Sequence, residues 1–470
     1  DINSNSSEAE ALQKPFTDSR PVVTLTPSPA KSEAVAASPS QSPLETKPED
    51  AITPTPTSIA TPTPFPLNIP FKLDFTATTR FSSFSKDEEK SFSQSLTTVF
   101  DQAFHKAGIN AAVFNGSSLW TGALGEAAPG KIMRATTPMI IRSTSKTFLG
   151  ALMISQIDQG LYKLTDTVEF LLSDHPDYHL IDIPNVNPNV TVEQLLTMTS
   201  GISDWSKQAS FEKRIEIMMD DNWRPAGNLT KIPSKFVPPG NYNYSYANSI
   251  LLGLIASHKG GKDLNAIYQE TFFEPLGIIG GLLPEINTPI DTAISYDDLS
   301  LYQYQGQGGV GFGPLNSGIM AQFYGKDPKI SWAGAGIVST PENIARWGYE
   351  LFSPSGSAVS EKVRARLFEG MTVPTDPGMT DMGMHTYGYY MGSGRVSLPG
   401  GAELKIYTHP GGGGGRTSWL YYSPELDASI SLLANSQMLH GPGRCGYSGF
   451  NFMTSGECIA GGIFSKLSGP

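Results

Sequence analysis

Apolar residues at helical spacing stand out first between Ile140 and Gly160. Phe148, Leu149, Leu152, Met153 and Ile157 follow the α-helical period, and Gly160 supplies a stop. The segment is apolar over most of its girth, which predicts a central helix rather than a surface one. Upstream, Phe92, Leu96, Val99, Phe100 and Phe104 fall on one side of Asp87–Lys106, the pattern of an amphipathic helix. Asn110–Asn115 and Ser118–Gly122 read as two short strands joined at Asn115-Gly116, a hairpin-turn pair. Folded sequence therefore begins near Lys86.

From about Leu164 to Tyr324 the helical period dominates, broken by long loops. Val190-Thr-Val-Glu-Gln-Leu-Leu is a helix start with a mechanism: Thr191 caps, Gln194 reaches back, and Val190 packs onto Leu195. The loop Pro238–Asn248 leads into a buried helix through Leu251, Leu252, Leu254 and Ile255 to Gly260. Leu301–Phe323 is rich in Gly, Tyr and Gln without a period, which fits a loop at the mouth of a site or a surface insertion. Regular structure resumes at Ala333. Thr340 is a good N-cap there and Pro341 a good first helical residue, with Ile344, Trp347 and Leu351 facing in.

Tyr387–Met391, Glu403–His409, Ser418–Ser423 and Ala428–Ala434 are strand-like, and the glycine-broken Phe450–Leu467 is a weak helix by propensity. This order predicts an α/β (α+β) fold. One antiparallel sheet, flanked by helices, is built from a lobe spanning about 86–163 and 330–467, and an all-helical lobe at about 164–329 is inserted into it. A cleft between lobes is where a site belongs.

Residues 1–70 contain Thr53-Pro-Thr-Pro-Thr and Thr61-Pro-Thr-Pro-Phe-Pro and no apolar period that could build a core. They read as a disordered tail or stalk biased to polyproline II, up to roughly 3.1 Å per residue where extended. The formal net charge of the 470 residues is −11 and no Lys/Arg-rich run appears, which argues against a nucleic-acid partner. No apolar run reaches the roughly 18 residues of a transmembrane helix. No Cys/His cluster has zinc spacing, so neither metal nor cofactor is expected. Cys445 and Cys458 are the two cysteines, close enough in sequence to permit a disulfide. Stalk and cysteine pair together predict an extracytoplasmic protein, secreted or tethered to the cell envelope. Any leader would then have been removed before Asp1.

The central helix carries chemistry at its start. Ser143 lies at or just inside its N-terminus and Lys146 one turn on, so a hydroxyl and an amine meet at the positive end of the helix dipole. A buried lysine there loses its proton easily and can deprotonate the serine, and the Ser143 N–H is free to face an oxyanion. An N-capping serine beside a surface lysine would give the same tetrad. Two other Ser-x-x-Lys matches, Ser28–Lys31 and Ser83–Lys86, lie in the tail and before a surface helix, where no buried helix start exists.

Further segments decide between these readings. Ser143-Thr-Ser-Lys146, Tyr246-Ala-Asn248 behind a turn at Pro239-Gly240, and His409-Pro-Gly411 occur in order, with Leu195–Ile202 and Ala333–Trp347 between them. Together they resemble the serine β-lactamase and D-alanyl-D-alanine peptidase superfamily over about 86–467. The closer likeness is to the branch holding class C β-lactamases, DD-carboxypeptidases, D-aminopeptidases and related esterases. The resemblance implies that Ser143 is the nucleophile and Lys146 its partner, with Tyr246 as phenolate base and then acid. Asn248 would meet the substrate amide or orient Lys146, and His409 would link Tyr246 to the cleft beside Gly411. The N–H groups of Ser143 and Gly412 would form the oxyanion hole, each donor worth about 10²–10³ in rate.

Two departures shape the expected substrate. A histidine stands where true β-lactamases carry a lysine, which points toward peptidases and esterases. Pro410 replaces a threonine whose hydroxyl would meet a substrate carboxylate, and proline donates from neither side chain nor backbone. Arg416 is a candidate carboxylate partner instead. The expectation is an acyl-serine hydrolase of D-amino-acid peptides or related amides, with peptidoglycan among its candidate partners. Esterase or β-lactamase activity by the same mechanism, and a penicillin- or wall-binding module with little turnover, are the alternatives.

Overall fold

The computed structural model describes residues 73–76, 80–102, 107–205, 211–298, 312–314, 328–380, 383–413, 415–436 and 455–469. The proline-rich tail, nearly all of the 301–323 segment and Cys445 lie outside these. Among the described residues no helix is long and apolar enough to cross a membrane.

A ten-stranded sheet forms the frame. Its strands are β1 (Gly108–Phe114), β2 (Leu119–Ala128), β3 (Lys131–Ile132), β4 (Val373–Pro374), β5 (Met384–Gly388), β6 (Met391–Ser397), β7 (Glu403–Thr408), β8 (Gly411–Gly413), β9 (Arg416–Ser423) and β10 (Ala428–Ala434). They run in the order β3-β2-β1-β10-β9-β7-β6-β5-β4, every pair antiparallel, with β8 paired to β9 off this path. Strands far apart in the sequence pair at the centre, where Ile109 faces Ala434 and Phe114 faces Ser429.

Helices cover both faces, so β1, β9 and β10 are buried throughout instead of alternating. On one face Ile109, Ala111, Val113, Ile430 and Leu432 pack with Phe92 and Leu96 of helix α1 (Lys86–Gln102) and with Ile459 and Ile463 of the C-terminal helix, Ser455–Leu467. That helix is continuous in spite of its glycines. Gly456 lies against the Trp419 ring and Gly462 against Ser95, where a Cβ would collide, so close packing overrides weak propensity. Its Cys458 is disulfide-bonded.

On the other face Ala112, Phe114 and Leu420 meet the central helix, α2 (Ser145–Asp158), and α4 (Pro341–Phe352). Phe148 of α2 stacks on Trp347 of α4 at 3.9 Å between ring centroids. Twelve residues of α2 are buried, as its all-round apolar pattern predicts. The capping box is present as well: Gln194 N–H donates to Thr191 Oγ1 and Thr191 N–H to Gln194 Oε1. Thr340 is the residue preceding α4, but its hydroxyl accepts from the Asn343 side chain rather than from the helix backbone.

The strand expected over Tyr387–Met391 is interrupted: Tyr387 and Gly388 close β5, Met391 opens β6, and Tyr389-Tyr390 make a tight turn between them. Tyr389 and Tyr390 take φ of 49° and 66°, a left-handed bend that their aromatic character disguises in the sequence. The turn is held in place by α2, whose Gly150 lies against the Tyr389 carbonyl so closely that any side chain would overlap it.

Candidate active site

Ser143, the expected nucleophile, lies where α2 meets the sheet. Arg142–Thr144 form a 3₁₀ turn and α2 begins at Ser145, so Ser143 is just ahead of the α-helix rather than inside it. Arg142 takes φ 50°, a conformation that costs about 1–3 kcal/mol in a non-glycine residue and persists only where its surroundings enforce it. The enforcement is visible. Thr144 Oγ1 donates to the His409 carbonyl (2.9 Å) and contacts Ser418 Oγ (2.8 Å), which donates to the Ile141 carbonyl (2.5 Å). These bonds bolt the serine turn to β9 and to the start of β8.

Among the described residues, Ser143 Oγ has three polar neighbours. Tyr244 OH is at 2.8 Å, Lys146 Nζ at 3.3 Å and Tyr246 OH at 3.4 Å. Lys146 is fully buried and donates to the Gly334 carbonyl at 2.8 Å. Its Nζ lies 4.8 Å from the centroid of the Tyr244 ring and 4.4 Å from that of Tyr246. Burial holds the amine well below its ordinary pKa of 10.5, opposed by the carboxylate of Asp204 and reinforced by the charge of Arg142. A neutral amine within reach of a serine hydroxyl is a competent base.

The tyrosine assignment made from the motif needs correction. Helix α3 (Tyr246–Gly260) is capped by Ser245, whose Oγ accepts from the Ala247 N–H. Tyr244 thus stands just ahead of the cap, outside the helix, and it makes the short bond to Ser143. Tyr246 is already helical and stands farther off. Burial raises Tyr244 well above the usual phenol range, so it is a neutral phenol, not a phenolate. Asn248, one position further into the helix, turns away from the amine: its Oδ1 accepts from Ser200 Oγ (2.6 Å) and its Nδ2 approaches Met198 Sδ (3.1 Å). The alternation Tyr242, Tyr244, Tyr246 around a good N-cap, Ser245, was the available sign that another tyrosine competes for the place.

His409 is fully buried at the end of β7, with its pKa lowered to about 3 by burial and by the nearby lysine. Its Nδ1 lies 2.7 Å from the Pro410 carbonyl, which can only accept. Nε2 therefore accepts from Tyr387 OH at 3.3 Å. The link runs to Tyr387 and, through the edge of its ring, to Tyr242 at 5.5 Å between centroids, not to Tyr246. Gly411 and Gly412 sit on β8, opposite Ser418 and Thr417. A Cβ at Gly411 would lie 2.8 Å from both the Ser143 nitrogen and the Ile141 carbonyl, so glycine lets this strand approach the nucleophile. Arg416 is buried at the start of β9 opposite Gly413. A cavity of about 350 Å³ lies beyond Tyr242, walled by Gly240–Tyr242 and Val373–Asp376.

Comparison with known proteins agrees with this architecture. A family model described as Beta-lactamase matches residues 96–444. The chain is 25% identical over 365 residues to an unguisins hydrolase from Aspergillus violaceofuscus, covering 70% of this chain and 58% of that protein. It is 28% identical over 214 residues to esterase EstB from Burkholderia gladioli, covering 42% and 53%. It thus spans little more than half the length of either relative. The D-amino acid amidase from Ochrobactrum anthropi SV3, solved with D-phenylalanine, superimposes with a TM-score of 0.64 at 19% identity, covering 82% of this chain and 100% of that one.

Proposed function

This chain belongs to the Beta-lactamase family, and we infer from that premise and from its site that it is an acyl-serine hydrolase of D-aminoacyl amides or related esters. The observation that carries this reading is the contact of Ser143 Oγ with Tyr244 OH at 2.8 Å and Lys146 Nζ at 3.3 Å. Neutral Lys146 takes the proton of Ser143 as Oγ attacks the acyl carbonyl. The oxyanion is met by the N–H groups of Ser143 and Gly412. Tyr244 passes its proton to the departing amine or alcohol and recovers one from Lys146. Water then attacks the acyl-enzyme, giving its proton to the same base, which returns it to Ser143 Oγ as the intermediate collapses and the acid leaves.

Several features support amides over carboxypeptidase substrates. Pro410 offers no hydroxyl or N–H to a terminal carboxylate. The cavity beyond Tyr242 brings the carboxylate of Asp376 to its wall, which suits a substrate amine. Arg416, buried behind Gly413, remains the candidate for any acidic group, so peptide ends of peptidoglycan are the second choice. The proline-rich tail and the disulfide-bonded Cys458 support action outside the cytoplasm.

Turnover of D- and L-phenylalaninamide, D-Ala-D-Ala peptides, p-nitrophenyl esters and a chromogenic cephalosporin tests the reading. It predicts faster release from the D-amide than from the L-amide or the dipeptide, and loss of that preference in Asp376→Asn. Turnover confined to the cephalosporin would contradict it.

A further inference from the structure

Glu285 is fully buried about as deeply as Lys146, yet it touches none of the reacting groups. Its two oxygens have definite partners. Oε2 accepts from the Asn265 N–H at 2.6 Å and Oε1 from the indole N–H of Trp332 at 2.8 Å. Trp332 opens a 3₁₀ turn, Trp332–Gly334, with φ 37°, a left-handed conformation unfavourable for so large a residue. The third residue of that turn supplies the carbonyl that holds Lys146 Nζ.

The surroundings leave the turn little freedom. The Trp332 ring is packed against Gly253 of α3, where a Cβ would lie 2.7 Å from it. A Cβ at Gly334 would lie 2.8 Å from Ser249 Oγ and 3.2 Å from Lys146 Nζ. The Trp332 carbonyl accepts from the N–H groups of Ala335 and Gly336, and Gly336 returns its carbonyl to Leu283 N–H at 2.9 Å, two residues from Glu285. Carboxyl, indole and turn thus close a ring of contacts whose inner edge is the lysine's acceptor.

We propose that Glu285 is a positioning residue for Lys146: through Trp332 it fixes the Gly334 carbonyl and so sets the place and dryness of the catalytic amine. The proposal rests on the hydrolase reading above. Charged or titratable groups facing Lys146 are Asp204 and Arg142, with Ser143, Tyr244, Tyr246 and His409 completing its surroundings. Loosening the Trp332 turn changes none of them, but it admits water to the amine and raises its pKa toward the free value.

The test is the rate at which a fluorophosphonate probe phosphonylates Ser143 in the full chain between pH 5 and 10, for wild type, Glu285→Gln, Trp332→Phe and the double variant. Rates are taken from the labelled fraction, so partial unfolding changes the amplitude and not the rate. Each single variant should slow labelling about tenfold or more, as displaced catalytic groups do. Each should also move the midpoint of the pH–rate curve up by about one unit. The double variant should be no slower than the slower single one, because both act through the same turn. Unmoved midpoints, with losses that merely add, would make Glu285 a packing residue and overturn the proposal. Absence of labelling in wild type would instead sink the hydrolase reading itself, and it shows before any variant is made.

Discussion

Tyr244 OH lies 2.8 Å from Ser143 Oγ, while Tyr246, two residues on and the one that fits a Tyr-x-Asn motif, stands at 3.4 Å. The difference follows from where a helix begins. Ser245 caps α3, so Tyr244 reaches the serine from the chain ahead of the helix, and Tyr246 lies in the first turn with its ring beside Lys146. Tyr244→Phe should therefore lower kcat by about 10²–10⁴, the usual contribution of a positioned proton donor. Tyr246→Phe keeps the ring and should cost less than about tenfold. Steady-state kinetics on a p-nitrophenyl ester ranks the two, and the reverse order would restore the motif's assignment.

Lys146 should give activity its pH dependence. The amine acts as a base only when neutral, and burial holds it well below 10.5. kcat/KM should rise with pH through a limb well under that value and then level. The sign for stability is the same: between the folded and unfolded pKa only the unfolded chain binds the proton, so raising pH through that window stabilises the fold. Lys146→Met should abolish the limb and melt at a higher temperature at neutral pH. A pH–rate profile and a thermal melt check both.

Glu285 acts in the opposite sense. Burial raises its pKa from 4.5 to about 8 in the folded protein. Between these values the folded chain keeps a proton that the unfolded chain has released, so stability falls as pH rises from about 4.5 to about 8 and is flat above. Glu285→Gln should lose this part of the slope. Melting temperatures of both proteins at pH 5, 6.5 and 8 measure it, and parallel curves would contradict it.

Gly411 and Gly150 separate catalysis from folding. A methyl on Gly411 would crowd the Ser143 nitrogen and the Ile141 carbonyl at 2.8 Å, so Gly411→Ala should displace β8 from the nucleophile and cut kcat about 10²-fold. The same methyl would also collide with Ser418 Oγ, so it should lower melting as well, but no more than Gly150→Ala does. Gly150→Ala drives a methyl into the Tyr389 carbonyl and should destabilise by about 1–3 kcal/mol, as overpacked cores do. Melts and kinetics on the two variants should show this division.

What the sequence disclosed follows from the range of the forces involved. The buried helix α2, the Thr191–Gln194 capping box and strand β10 at Ala428–Ala434 are written in local period and cap chemistry, and they are present within a residue or so. The Ser143–Lys146 pair was legible because helical spacing alone brings the two together. Tyr244 was not, since three alternating tyrosines offer the same chemistry and only the position of the cap chooses among them. Asn248 meets Ser200 rather than the amine for the same reason, two residues of register. The turn at Tyr389 and Tyr390 contradicts local propensity and is imposed from outside by α2. Glu285 and Trp332, 47 residues apart, meet only in the folded chain.

The central claim is a covalent one, that Ser143 carries the acyl group. Intact-mass spectrometry after rapid mixing with a p-nitrophenyl ester, followed by peptide mapping, tests it most directly. The account predicts one acyl adduct per chain, located on Ser143, that accumulates in Tyr244→Phe and is absent from Ser143→Ala. Hydrolysis without any adduct, or an adduct on another residue, would contradict it.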